Sequence, residues 1–248
     1  MKPQKKRIRM FAGPNGSGKS TMKQEIPQDL IGIYINPDDI ERGIRETGYL
    51  NLKDFEIEGS ENEVLSYFYN SDFLKSAGFL SAASGLRYSA DKLLFSKDAI
   101  NAYFASVASD FIRRKLLLAG KSFSFETVMS SADKVQFLKT AQSHGYRTYL
   151  YYVATEDPKI NIDRVRQRIE KGGHPVPEDK IVSRYHRSLE LLADAIRNTN
   201  RTYLWDNTSQ LRFLLEVIEG KELIVQTEDI PGWCQRALHE TFATVGGA

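Results

Sequence analysis

The stretch GPNGSGKST, Gly13 to Thr21, follows a short apolar run at residues 7–12 (RIRMFA). Glycines at 13, 16 and 18 permit backbone angles that other residues resist and let the chain approach a bulky anion closely. Gly13-x-x-x-x-Gly18-Lys19-Ser20 is the full P-loop pattern. In that pattern, backbone N–H groups form an anion nest at the start of a helix. The lysine reaches the β- and γ-phosphates, and the serine hydroxyl meets Mg²⁺. Gly13, Pro14, Asn15, Gly16, Ser17, Gly18, Lys19, Ser20 and Thr21 are therefore the candidate nucleotide-binding set. Lys19 doubles as a catalytic cation, and Ser20 is the candidate magnesium ligand.

Working outward, five segments read as buried strands: residues 7–12, 32–36 (GIYIN), 122–126 (SFSFE), 148–154 (TYLYYVA) and 202–205 (TYLW). Helical patterns lie between them at 19–25, 98–119, 132–144, 161–171 and 178–198. Strands alternating with helices argue for an α/β fold, a parallel sheet covered on both faces. Such sheets bind ligands beyond the carboxyl ends of their strands. Residues 51–95 break the alternation and read as an insertion after the second strand, with a helix starting at the capping box Ser60…Glu63. Residues 211–248 read as a helix, a short strand (ELIVQ) and another helix. The expectation is one P-loop domain over 1–248, carrying the 51–95 insertion and a lid-like helical segment at 160–192.

Composition narrows the partners. The chain has 248 residues, a formal net charge of +2 and one cysteine, Cys234. Near-balanced charge gives no reason to expect nucleic acid. One cysteine excludes an intramolecular disulfide or a multi-cysteine zinc site. No apolar run reaches the roughly 18 residues needed to span a bilayer, and the basic start lacks the apolar core of a signal peptide. A cytoplasmic location fits these features.

A P-loop alone does not separate a kinase from an ATPase, so the acceptor side must come from other clusters. YINPDDIE ends the second strand and carries Asp38 and Asp39. A carboxylate there suits the proton of an attacking hydroxyl, and Asp38 is the first choice. An Asp in this position also serves as a helix N-cap. FSFETVMSS ends the third strand in Glu126-Thr127, where a carboxylate needs a partner to offset its desolvation. The basic stretch at 160–192 holds Arg164, Arg166, Arg168, Arg184 and Arg187 around Gly172-Gly173-His174-Pro175. Helix, tight turn and basic helix suit a lid whose arginines neutralise phosphate charge. Asn207, after the fifth strand, lies in a loop suited either to an adenine contact or to a simple turn.

Taken together, AGPNGSGKST, YINPDDI, FSFETVMSS, GYRTYLYYV and RVRQRIEKGGHPVPEDKIVSRYHRSLELL resemble the zeta toxin family of P-loop kinases. The resemblance implies a three-layer P-loop kinase fold with a five-stranded parallel sheet in the order 2-3-1-4-5. It implies ATP with Mg²⁺ phosphorylating a hydroxyl of a small substrate. For the best-known toxins that substrate is UDP-N-acetylglucosamine, so a nucleotide sugar is one acceptor class here. By motif match, Lys19 binds phosphates, and Asp38 or Asp39 activates the acceptor. Glu126 and Thr127 contact the substrate, with Asp38 beside them. Arg168 and Arg184 clamp the phosphates. An antitoxin protein is a partner that the family brings with it. One departure is plain: those toxins carry Asp-x-Asp at the second strand end, and the first of these positions is Asn36 here.

Three other readings of the residues remain: a P-loop ATPase or switch with water as acceptor, a nucleotide-binding partner module, and a polynucleotide 5′-kinase. The last calls for a basic groove with stacking aromatics. Tyr67, Phe68, Tyr69 and Phe73 supply aromatics, but their segment is not basic.

Overall fold

The fold is taken from a computed structural model, which describes residues 5–170 and 175–243. In chain order its elements are β1 (Arg7–Ala12), α1 (Lys19–Gln24), α2 (Gln28–Ile31), β2 (Ile33–Ile35), α3 (Pro37–Thr47), β3 (Tyr49–Asn51), α4 (Glu61–Tyr69), α5 (Asp72–Ser76), α6 (Leu80–Ala83), β4 (Arg87–Ser89), β5 (Lys92–Leu94), α7 (Ala102–Leu118), β6 (Phe123–Thr127), α8 (Asp133–Ser143), β7 (Arg147–Ala154), α9 (Pro158–Glu170), α10 (Glu178–Glu190), α11 (Leu192–Arg197), β8 (Arg201–Asp206), β9 (Arg212–Ile218), β10 (Glu222–Val225) and α12 (Gly232–Ala243). They form two compact units. One takes the chain up to Gly32 and again from Glu126 onward, and the other is Ile33–Phe125.

The first unit contains the strands β10-β9-β8-β7-β1 in that order. β1, β7 and β8 are parallel. Their sequences are apolar because the strands are buried: Ile8, Met10, Leu150, Tyr152 and Leu204 are fully enclosed. The alternate row carries rings that stack across strands, Phe11 on Tyr151 at 5.0 Å and Tyr151 on Tyr203 at 4.8 Å. Such cross-strand pairs hold register as well as adding burial.

The second unit pairs β2 with β6 in parallel and adds a small antiparallel sheet, β3-β5-β4. The expected order 2-3-1-4-5 is thus found in two pieces, 2-3 here and 1-4-5 in the first unit. The expectation of five strands, all parallel, needs correction. Residues 212–218 are the strand β9 rather than a helix, and β9 and β10 run antiparallel beyond β8.

In the second unit, α3 and α7 pack together. α7 starts where Asn101 accepts the N–H groups of Tyr103 and Phe104, and it buries Phe104, Ala108, Phe111 and Ile112 at helical spacing. Ser60 caps α4 through the Glu63 N–H at 3.2 Å, as expected. The Glu63 carboxylate does not return to close the capping box. It binds Lys115 on α7 at 2.8 Å. A second tie between these helices centres on Asp110, which accepts Tyr67 Oη, Arg113 Nη2 at 2.7 Å and Arg114 Nε at 2.8 Å. Burial opposes charge on Asp110, but Arg113, Tyr67 and Arg114 outweigh it and hold the carboxyl below its ordinary pKa.

Asp110→Asn should therefore destabilise the fold by about 1.5–3 kcal/mol, the scale of hydrogen bonds to a charged group. A carboxyl with a lowered folded pKa stabilises above its unfolded pKa of about 4, and that contribution fades as pH falls. Denaturant melts should show the deficit at pH 7 and a smaller one near pH 3.

Candidate functional site

In the first unit the glycine loop runs from the end of β1 into α1. Gly16 and Gly18 have φ of +75° and +98°, where a side chain is strained. Space forbids one as well. A Cβ on Gly16 would lie 2.5 Å from the Asn161 backbone oxygen, and one on Gly18 would lie 2.1 Å from Asn207 Nδ2.

Lys19 is buried at 8% exposure. Its Nζ donates to the carbonyls of Gly13 at 3.0 Å and Pro14 at 3.1 Å, and lies 3.8 Å from Glu126 Oε1. The ammonium thus sits among carbonyl dipoles and one carboxylate, which offset its desolvation. Ser20 and Thr21 are exposed in the first turn of α1, where N–H groups lack intrahelical acceptors. Two buried polar atoms of the loop, Ser17 Oγ and Asn15 Oδ1, have no hydrogen-bond partner. An unpartnered buried hydroxyl is costly, and a phosphate oxygen would give Ser17 its acceptor. The loop therefore fits a nucleotide phosphate chain, with Ser20 open to a metal ion. Among the described residues no cluster of three or more His, Cys, Asp or Glu side chains could hold a metal by itself. A magnesium ion here would depend on phosphate oxygens and Ser20.

Glu126 and Thr127 are the last two residues of β6. Thr127 Oγ1 accepts the Met129 N–H at 3.0 Å, which shapes the turn after the strand. Ser188 of α10 fixes the same turn by donating to Val128 O at 2.8 Å.

The arginines of α9 and α10 divide by what they touch. Arg164 donates to the carbonyls of Asn207 at 2.7 Å and Thr208 at 3.3 Å. Arg166 is paired with Glu178 at 2.6 Å, tying α9 to α10. Arg168 is exposed and Arg184 is half-buried. Arg184 has no hydrogen-bond or ion-pair partner among the described residues. The tight turn expected at Gly172, Gly173 and His174 lies outside the described residues.

Asn207 follows β8, and its Nδ2 donates to Ser17 O at 2.9 Å. Asp206 beside it is consumed locally by Thr208, Trp233 and Arg212. The sequence reading overlooked Asn161. This residue of α9 is fully buried and donates from Nδ2 to Asn15 O at 2.6 Å. The available signal was an Asn on the same helix face as the apolar Val165, since buried Asn is uncommon and needs partners.

Asp38 and Asp39 belong to the second unit. Asn36 is the N-cap of α3, accepting the Asp38 N–H at 3.0 Å, with Pro37 at the first helical position. Neither aspartate is thus needed as the cap. Asp39 is paired with Arg42. The Asp38 carboxylate has no partner among the described residues and is exposed.

A glycine loop with these angles, joining the parallel strand β1 to the helix α1, defines a P-loop nucleotide-binding fold. The family model described as Zeta toxin matches residues 101–210. That span includes Glu126, Thr127, both basic helices and Asn207. The resemblance to the zeta toxin family is thereby borne out. An uncharacterized protein of Haemophilus influenzae is 33% identical over 63 residues, which make up 25% of this chain and 45% of that protein. The match thus spans about half the length of that curated relative. Among solved structures, the complex AvrRxo1-ORF1:AvrRxo1-ORF2 with sulphate ions superposes with a TM-score of 0.51 at 15% identity, covering 91% of this chain and 62% of that one. It shares the fold. The PezAT chromosomal toxin-antitoxin system of Streptococcus pneumoniae gives a TM-score of 0.48 at 14% identity, covering 98% and 87%. No described helix is long and apolar enough to cross a membrane.

Gly16→Ala should cost about 1–3 kcal/mol through its left-handed backbone and displace the loop from Asn161. Thermal melts with and without ADP should show a lowered midpoint and no stabilisation by ADP.

Proposed function

We propose that this protein is a kinase that passes the γ-phosphoryl group of ATP to a hydroxyl of a small acceptor. The observation that carries the proposal is the buried Lys19 ammonium, held by loop carbonyls and Glu126 beside the unpartnered Ser17 hydroxyl. When bound, ATP with Mg²⁺ supplies the transferable group and much of the countercharge.

The chain's own residues account for the rest. Loop N–H groups, Ser17 and Lys19 orient the phosphates, and Ser20 ligates the metal. Asp38 takes the proton of the acceptor hydroxyl as that oxygen bonds to the γ-phosphorus and the bond from phosphorus to the β–γ bridging oxygen breaks, ADP being the leaving group. Asp39 is the weaker candidate because Arg42 already neutralises it. Glu126 and Thr127 hold the acceptor. Arg168 and Arg184, the two arginines matched to the family's lid, meet charge on the phosphoryl oxygens, while Arg164 binds loop carbonyls and Arg166 binds Glu178. A nucleotide sugar is the acceptor class suggested by the family match. By the same resemblance an antitoxin is the proposed protein partner, and the proposed site of action is the cytoplasm.

The test is a transfer assay with labelled ATP, Mg²⁺ and a panel of nucleotide sugars, nucleosides and oligonucleotides. The expected result is a labelled small acceptor and ADP release that depends on it. Acceptor-independent ADP release would favour the ATPase reading. Lys19→Ala should abolish transfer, and because it strips Glu126 and two loop carbonyls of their cation it should also lower the thermal midpoint. Asp38→Asn should keep ATP binding and lower transfer by about 10²–10⁴-fold, with Asp39→Asn doing less. Arg168→Ala and Arg184→Ala should each lower kcat by about 10²-fold. Unchanged transfer in Asp38→Asn would reject it as the base.

A further inference from the structure

We infer that Asn161 and Asn207, the latter held by Arg164, are positioning residues that set the direction of the phosphate-binding N–H groups. This rests on the nucleotide-binding reading of the glycine loop.

Four carbonyls of the loop are committed. Those of Gly13 and Pro14 face Lys19. Those of Asn15 and Ser17 accept side-chain amides, from Asn161 at 2.6 Å and Asn207 at 2.9 Å. No cis peptide is present among the described residues. In a trans peptide the C=O and the following N–H point in opposite directions. Pinning Asn15 O therefore turns the Gly16 N–H away from Asn161. Pinning Ser17 O turns the Gly18 N–H away from Asn207. The two braces also occupy the space that side chains at 16 and 18 would need.

Both braces are themselves oriented. Thr155 Oγ1 donates to Asn161 Oδ1, which leaves the amide N–H₂ for Asn15. Tyr185 donates to Thr155 O at 2.6 Å, and burial pushes that hydroxyl up to about 12, so it remains a donor at neutral pH. Arg164 holds the backbone of Asn207 and Thr208. Asn161 and Arg164 are three apart on α9, on one face of the helix. A single helix thus sets the loop on one side directly and on the other through Asn207.

Such a role predicts a specific loss. The pinned N–H groups serve the phosphate chain and not the base or ribose. Asn161→Ala, Asn161→Asp and Asn207→Ala should raise the Kd for ADP about tenfold or more, as expected for misdirected hydrogen bonds to a charged group. The Kd for AMP should change less than about twofold. The measurement is titration of each variant with ADP and with AMP, with thermal melts alongside. Arg166→Ala, on the same helix but paired with Glu178, is the control and should leave the ADP-to-AMP ratio at the wild-type value. Arg164→Lys keeps the charge with one fewer carbonyl contact and should show a smaller rise for ADP. It also serves if the alanine variants fail to fold. A merely structural role would lower the melting point without changing the ratio, and a wild-type ratio in the Asn161 and Asn207 variants overturns the inference. If the wild-type protein binds neither nucleotide, the kinase reading falls first and this inference with it.

Discussion

A lysine ammonium that is nine-tenths buried requires negative ends of dipoles around it, and the first unit is organised around meeting that requirement at Lys19. Two consecutive carbonyls, of Gly13 and Pro14, turn toward it. This bends the chain sharply where β1 ends. Glu126 supplies the carboxylate. The next carbonyls, of Asn15 and Ser17, cannot also face the lysine and go to Asn161 and Asn207. The loop is shaped as much by where its acceptors are used as by where its glycines permit it to bend. Its N–H directions are a consequence.

What could be read from the sequence depended on how local its cause was. The P-loop was legible because its glycine angles and lysine spacing lie within a few residues. The parallel strands were legible as apolar runs, and Ser60 as a cap, because each is a local pattern. β9 was misread because RFLLEVI places apolar residues at spacings that suit either a helix or a buried strand. Its pairing to β8, which includes a bulge between Leu204 and Trp205, is what decides. The three-residue strands β3, β4 and β5 carry too little pattern to detect. Asn161 and Asn207 were illegible as braces because their partners lie 146 and 190 residues away. Composition records an Asn but not what it holds.

The arginines show the same sorting by geometry. Arg164, Arg166 and Arg168 look alike in sequence, but steps of two residues turn an α-helix by about 200° and send neighbours to different faces. Arg164 faces the β8–β9 loop, and Arg166 faces Glu178 of α10. Arg168, four beyond Arg164, returns to nearly the same face one turn further along. A helix that fixes the loop through its first turns therefore carries a further cation on that side.

The environment of the two aspartates after β2 is set by Asn36, the N-cap of α3. Asparagine caps a helix as well as aspartate does but adds no charge. The first turn of α3 then holds two carboxylates, not three, which limits their mutual repulsion. Arg42 takes Asp39 at the exposed surface, where such a pair is worth little in stability but does neutralise the carboxylate. Asp38 is left with its backbone N–H committed to Asn36 and its carboxylate uncommitted. A base must keep a lone pair available. Of the two residues, the one whose amide is anchored and whose carboxylate is unpaired is better suited to that role.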